Sequence, residues 1–357
     1  VRRGMSSSLA SRAVDAADEL LAGLGVPVSK VIDPLDPAGF ARIVARLERE
    51  LAGAAGEAEA DAMRAAFAAL DVDWVGMTVA QREAVVLAAR TAIAAAGPRA
   101  MPRIEQVFEA RGPAIYGDAR EAAIRRFSLD VAQTLSLRDH AAERFVRASN
   151  ANFVRDQYGR RADDLTATAR EIVARGLEEG RGSGEIAADL ALRLGDRVAR
   201  GDGYWQVVAT QFANSARTYS QINSFKDAGI EEMVFVAVLD EVTTDICRFL
   251  HGQVFQVDNA STQLNRLASL ENPDDVVNVA PWYREGRDED GNRIIYFERS
   301  TGDRQVVAQV DRSGRGVSDD VGEYSRTMSA RDMQAGSVPY PPLHMRCRSN
   351  LEPRLTG

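Results

Sequence analysis

The sequence predicts an α+β fold: a mostly helical N-terminal region followed by a small mixed α/β C-terminal domain with a β-meander insertion. Three observations predict it. Up to about residue 140, apolar residues recur at helical spacing and no stretch alternates as a strand does. Val234 to Leu239 is then a continuous apolar run of strand length, rich in β-branched residues. Between Trp282 and Val310, short alternating stretches are divided by turn residues. The expected division is 1–140 as a helical region and 141–357 as the second domain. Within the second domain the reading places long helices over 145–228, mixed structure over 230–357 and an insertion over about 257–338.

In the helical region, Ser8 or Ser11 can cap a first helix whose apolar side runs to Leu24. Asp33 or Asp36 can cap a second, opened by Pro37, with Phe40, Ile43, Val44, Leu47 and Leu51 at helical spacing. Further helices are expected over Glu57 to Leu70 and Thr78 to Ala96. Thr78 and Gln81 have the spacing of a capping box. Gly97-Pro98 is expected to end that helix, and Arg111-Gly112-Pro113 to interrupt the next. Another is expected from Asp118 to Ser136. His140 reads as a surface histidine.

Helices are then expected over Phe145 to Tyr158, from Asp163 to Gly180, from Ser183 onward, and from about Asp202 to Ala228. The last carries Trp205, Phe212, Tyr219 and Ile222 as core, with Arg217 on or near that stripe and Asp240 as its expected structural partner. After Val234 to Leu239, Thr243 or Thr244 caps a short helix that Gly252 stops. Gln253 to Val257 reads as a strand and Ser261 to Leu270 as helical. The run Asp288 to Asn292 reads as a hairpin turn, because it lacks the downstream glutamate of a calcium loop. Residues 311–336, rich in Gly, Ser and Asp, read as a flexible loop.

The chain's two cysteines, Cys247 and Cys347, each lie close to a histidine, in Cys-x3-His (Cys247, His251) and His-x2-Cys (His344, Cys347). At helical spacing Cys247 and His251 share a face. Pro341 and Pro342 hold the second segment extended. Three readings stand: a structural zinc site on Cys247, His251, His344 and Cys347, a Cys247–Cys347 disulfide in an oxidising compartment, or two buried thiols beside ordinary polar histidines.

These segments resemble the phage Mu F-like head morphogenesis proteins, also called minor head proteins. The resemblance runs from about Phe145 to Pro353 and rests on strand, Asp240, Thr244, Cys247, Leu250, Gly252, then Pro341-Pro342-Leu343-His344 and Cys347-Arg348. Ala216-Arg217-Thr218, Asn223 and Gly229-Ile230 are similar to the family's Arg-Thr-Glu helix and following turn, with Tyr219 where the family has Glu. Asp245 or Thr244 stands where members often have a second Cys. The resemblance implies a structural, non-enzymatic protein that binds the phage portal protein and inner capsid during capsid assembly, DNA packaging and ejection. It implies a place in the virion near the portal, and in the host cytoplasm during assembly. Contact with packaged DNA is left open, and no small-molecule substrate is expected.

Composition narrows the alternatives. The chain has 357 residues, 45% of them apolar, enough for two domains with cores of their own. A net charge of −8 argues against a dedicated nucleic-acid binder. No apolar run is long enough to cross a membrane, and the opening VRRGMSSSL lacks the apolar core of a signal peptide. Lysine occurs only at Lys30 and Lys226, which reads as a genomic bias toward arginine. The rival class is a metal- or thiol-dependent enzyme or toxin-like effector. It would use Asp240, Glu241, Asp245, Cys247, His251 and His344.

Overall fold

The fold is α+β, with helices up to Asp227 and two small antiparallel sheets beyond it. The computed structural model describes residues 32–199, 202–271 and 275–355. The helix expected between Ser8 and Leu24 lies outside them. The helices are α1 (Pro37–Leu70), α2 (Val79–Ala94), α3 (Ala96–Phe127), α4 (Leu137–Glu178), α5 (Ser183–Ala199) and α6 (Asp202–Asp227).

Local chemistry starts these helices where the sequence says it should. Asp36 accepts the Gly39 N–H at 2.9 Å, and Pro37 opens α1 with no N–H to strand. Thr78 and Gln81 form the capping box of α2, with the Thr78 N–H donating to Gln81 Oε1 at 2.8 Å.

Several expected breaks are absent. α1 runs unbroken from Pro37 to Leu70, and α4 joins two expected helices into one. The break expected at Gly97-Pro98 is present a few residues earlier: α2 ends at Ala94 with Ala95 as its C-cap, and Gly97 and Pro98 fall in the first turn of α3, where backbone N–H groups lack intrahelical partners in any case. Gly112 and Pro113 sit inside α3 without ending it. Ile104, Phe108, Ile115 and Tyr116 are buried along that helix. Their burial outweighs a local proline cost of about 3 kcal/mol. The same helix stops at Phe127, short of Ser136, where Ser128 turns left-handed at φ 53°.

Two compact units result, and their division differs from the expected boundary at residue 140. One unit combines the described residues up to Arg46 with Arg111–Val146 and everything from Thr210; the other comprises Leu47–Ala110 and Arg147–Ala209. Residue 140 lies in the first turn of α4. Because α1, α3, α4 and α6 each supply residues to both units, no single cut in the sequence can separate them.

The all-helical unit is organised around Leu70, Trp74, Val86, Ile93, Leu165, Ile172, Val173, Ile186 and Leu190. Gly176 on α4 allows Ile186 of α5 to approach, since a Cβ there would lie 2.6 Å from Ile186 Cγ1.

In the other unit, β1 (Glu232–Val236) is the centre of a three-stranded sheet, flanked by β2 (Val254–Gln256) and β7 (Asn350–Pro353). Residues on β1 alternate between half-buried and buried, so the continuous apolar run is a one-faced strand and not one buried on both sides. β7 comes from the chain's far end and pairs Leu351 with Phe235 and Asn350 with Val236. Between these strands lie α7 (Asp245–Leu250), α8 (Val257–Ala268) and α9 (Val276–Val279). The expected meander is the second sheet: β3 (Tyr283–Arg287), β4 (Arg293–Glu298), β5 (Arg304–Arg312) and β6 (Glu323–Ser325). The Asp288 to Asn292 run is a hairpin turn, with Gly291 at φ 83° and the Asn292 N–H donating to Asp288 Oδ1. Residues 311–336, expected as a flexible loop, instead contain β6 and α10 (Ala330–Gly336). Arg312 anchors that stretch on Asp320 and Glu323.

A buried polar knot ties α3, α4 and α6 within this unit. Tyr116 Oη donates to Asp139 Oδ1 at 2.9 Å, Arg120 pairs with Asp139 and Asp227, and Asn223 donates to Tyr116 Oη. His140 beside it is exposed, as the sequence suggested.

Replacing Gly176 by Ala tests the helical core. Alanine favours a helix by about 1 kcal/mol, but overpacking against Ile186 costs about 1–3 kcal/mol. Denaturant unfolding is expected to show net destabilisation, and the penalty should vanish in an Ile186→Ala background. Equal or greater stability of the single variant would show that α4 and α5 do not pack as described.

Candidate metal centre

α6 positions the site. Asn214, Arg217 and Gln221 recur on one face of this buried helix, and all three donate to backbone carbonyls of the C-terminal segment. Asn214 Nδ2 reaches Cys347 O at 2.6 Å, and Gln221 Nε2 reaches Leu351 O at 2.7 Å. Arg217 is 2% exposed and donates to Ser349 O at 2.6 Å, Arg348 O at 3.1 Å and Pro34 O at 3.2 Å. Its guanidinium lies 4.0 Å from the Phe40 ring centroid. Burial pushes its pKa down to about 10, so it stays charged at neutral pH.

The expected Arg217–Asp240 pair does not form. The terminal nitrogens of Arg217 go to carbonyls and to Asn214 Oδ1, with Phe40 against its face, while Asp240 takes both oxygens to Arg348 at 2.8 and 2.7 Å. Asp240 still has the structural role expected of it. It accepts from Thr243 Oγ1 at 2.8 Å and from the Val242 N–H, folding the turn that follows β1. Burial works against its charge, yet the hydrogen bonds from Arg348 and Thr243 hold its carboxyl below the usual range.

That turn delivers α7. Of the two threonines the sequence offers, Thr244 is the N-cap, and Gly252 at φ 80° stops the segment as the sequence predicts. The helix ends at Leu250, however. His251 is its C-cap, with non-helical ψ 125°, although its N–H still donates to Cys247 O at 3.0 Å in the helical pattern. Its Nδ1 instead accepts the Ala237 N–H at 3.1 Å. His251 is therefore not with the other three candidate ligands, because its imidazole is engaged by the Ala237 N–H.

Those three do converge. Cys247 Sγ, His344 Nε2 and Cys347 Sγ lie within 4.8 Å of one another and form a group that can hold a metal ion. Cys247 Sγ is 2.9 Å from His344 Nε2 and 3.9 Å from Cys347 Sγ. Both thiols are buried, at 3% and 1% exposure, and His344 is half-buried. A tight turn brings His344 and Cys347 together, with Cys347 N–H donating to His344 O and Arg346 left-handed at φ 59°. His344 Nδ1 lies 2.8 Å from Met345 O. A proton there donates to that carbonyl and leaves Nε2 free to bind, the outer-sphere support usual for a metal-bound imidazole.

The pair of thiols titrates unequally. The hydrogen bond from Cys247 pulls Cys347 well below the ordinary thiol range, against its burial, and the His344 charge adds to this. The same bond, then burial, pushes Cys247 up. Burial opposes charge on His344, but the Cys347 sulfur, as charge and as hydrogen-bond acceptor, raises it above its ordinary value. A thiolate on Cys347 is the state a metal requires.

Arg248 escaped sequence reasoning. It is 1% exposed and donates to carbonyls of Thr243, Asp240, Val317 and Asp320, which fastens the 313–322 loop over α7. Asp245, offered as a catalytic group by the rival reading, is buried between Arg293 and Ser313, both within the meander. Tyr324 Oη donates to Asp245 O. The meander thus buttresses the site rather than merely interrupting it. An arginine in CRFLHG gives no sequence signal of this, since its partners are distant backbone atoms.

Two outcomes test the site. His344→Gln should abolish metal binding by the purified protein, whereas His251→Gln should retain it; equal loss in both would return His251 to the ligand set. Asp240→Asn should flatten stability on the acid side. The folded-state pKa of Asp240 lies below an unfolded value of about 3.9. Its contribution is therefore complete above that value and is lost as pH falls through the folded one. For this partly exposed pair the effect is about 1 kcal/mol or less, read from urea midpoints at pH 2–6.

No family model, curated protein or solved structure matches the chain.

Proposed function

We propose that Cys247, His344 and Cys347 hold a zinc ion that clasps the C-terminal segment to α7, and that the protein is a structural minor head component of a phage-type particle, associated with the portal and inner capsid. The observation that carries this reading is convergence: the two segments bearing the family resemblance are the two halves of one site. Zinc favours thiolate and imidazole donors. A tetrahedral zinc with sulfur at about 2.3 Å sets two sulfurs about 3.8 Å apart, and the observed separation is 3.9 Å. Zinc supplies no redox chemistry here; it neutralises the thiolates and cross-links the chain. Cys247 holds it from α7, and His344 and Cys347 from the turn before β7. Met345 O keeps the His344 ring oriented.

An assembly role is consistent with what surrounds the site. Arg217, Arg248 and Asp240 are committed to backbone and to Arg348, and Asp245 to Arg293 and Ser313. Among the described residues no helix is long and apolar enough to cross a membrane.

A second reading rests on the 2.9 Å contact between Cys247 Sγ and His344 Nε2, the spacing of a thiol and its activating base. Burial of both thiols weighs against it.

Elemental analysis of the purified protein should find one zinc per chain, lost in Cys347→Ser together with a fall in thermal stability. Tagged protein should co-purify with portal protein in assembled particles. Its absence from particles overturns the head-protein reading. Rapid alkylation of Cys247 by iodoacetamide in the untreated protein would favour the thiol-enzyme reading instead.

A further inference from the structure

Closed structural zinc sites use four nitrogen or sulfur ligands. This chain has only two cysteines and three histidines, and they are accounted for. His251 receives the Ala237 N–H, and His140 lies on exposed α4 surface. Among the described residues, the metal-binding group contains three members. The fourth donor therefore has to be of another kind.

One oxygen is already in position. Thr244 Oγ1 lies 3.0 Å from His344 Nε2, the atom that would bind the metal. The hydroxyl caps α7 only loosely, at 3.4 Å from the Cys247 N–H, while it lies closer to the ring. Burial is asymmetric. The two sulfurs form the buried floor, while Thr244 and His344 are half-buried and lie among exposed Val242, Met345 and Arg346. The side of the site that meets solvent is the Thr244 side.

We propose that Thr244 Oγ1 supplies the fourth position of the metal as a neutral, exchangeable oxygen ligand, so that the centre binds a soft external anion such as cyanide or a thiolate. This rests on the metal reading above and deepens it. The exchange breaks the contact between metal and Thr244 oxygen and forms one between metal and incoming anion; the hydroxyl keeps its proton. A hydroxyl is a weak partner for zinc compared with thiolate or imidazole, so it is the ligand that yields. The centre would be a binding site for soft donors as well as a clasp.

Cobalt tests this on the full chain, since its visible spectrum reports ligand type and number. The cobalt-loaded protein is titrated with potassium cyanide while bound cobalt is tracked by gel filtration. A saturable spectral change with cobalt retained is expected. Thr244→Ser should behave as the natural chain, because it keeps the oxygen. Thr244→Val should bind cobalt roughly 10-fold or more weakly, by the scale set by lost ligand-shell contacts, and with an altered spectrum before any cyanide. Thr244→Cys should close the site, adding thiolate absorption, tightening cobalt binding at least 10-fold by the preference for soft ligands and abolishing the cyanide response. Identical cobalt spectra and affinities in the natural chain and Thr244→Val would overturn Thr244 as a ligand. Retained cobalt with no cyanide response would overturn the exchangeable position. Failure of the folded natural chain to bind cobalt or zinc would remove the metal reading itself, and this inference with it.

Discussion

The C-terminal unit depends on how one buried guanidinium is satisfied. Arg217 gives up water and receives carbonyls from Pro34, Arg348 and Ser349, with Phe40 beneath it. A buried charge without such partners costs several kcal/mol, and charge-assisted hydrogen bonds return about 1.5–3 kcal/mol each. The arrangement is therefore all-or-none. Either the C-terminal segment lies along α6 with its carbonyls turned inward, or Arg217 is stranded. Asn214 and Gln221 extend the same clamp by one turn in each direction. His344 and Cys347 reach Cys247 because the backbone around them is already held.

Arg248 repeats the solution on the opposite side. Its donors gather four carbonyls from two loops and fix the strand-to-helix turn that presents Thr244 and Cys247. Loop-closure entropy rises only logarithmically with length, so the long excursion through the meander adds little cost. The excursion also contributes contacts of its own, since Asp245 binds Arg293 and Ser313. Two buried arginines thus place the Cys–His–Cys group, and a metal would add a third constraint.

The helical unit obeys a different constraint. Its first helix runs through Gly53 and Gly56 where a break is expected, because its buried apolar face continues across them. Gly176 shows the reverse case, where a glycine inside a helix is explained by what it lets approach.

The sequence by itself determined the α+β class, the Thr78 helix start, the Gly252 stop and the meander, narrowed two further caps to Asp33 or Asp36 and to Thr243 or Thr244, and marked Cys247, His344 and Cys347 as candidate ligands. All of these depend on local spacing or on residue types with one strong preference. Tertiary structure alone decided the rest. Continuous helices replaced several expected breaks, in α3 because burial outweighs the cost of Pro113 inside the helix. His251 turned to the Ala237 N–H, a backbone donor that carries no sequence signature. Arg217 and Asp240 went to different partners because backbone carbonyls, which carry no sequence signature, were the nearer acceptors. For the same reason the roles of Arg248 and of the Thr244 hydroxyl at the site could be read only once distant segments had been brought together.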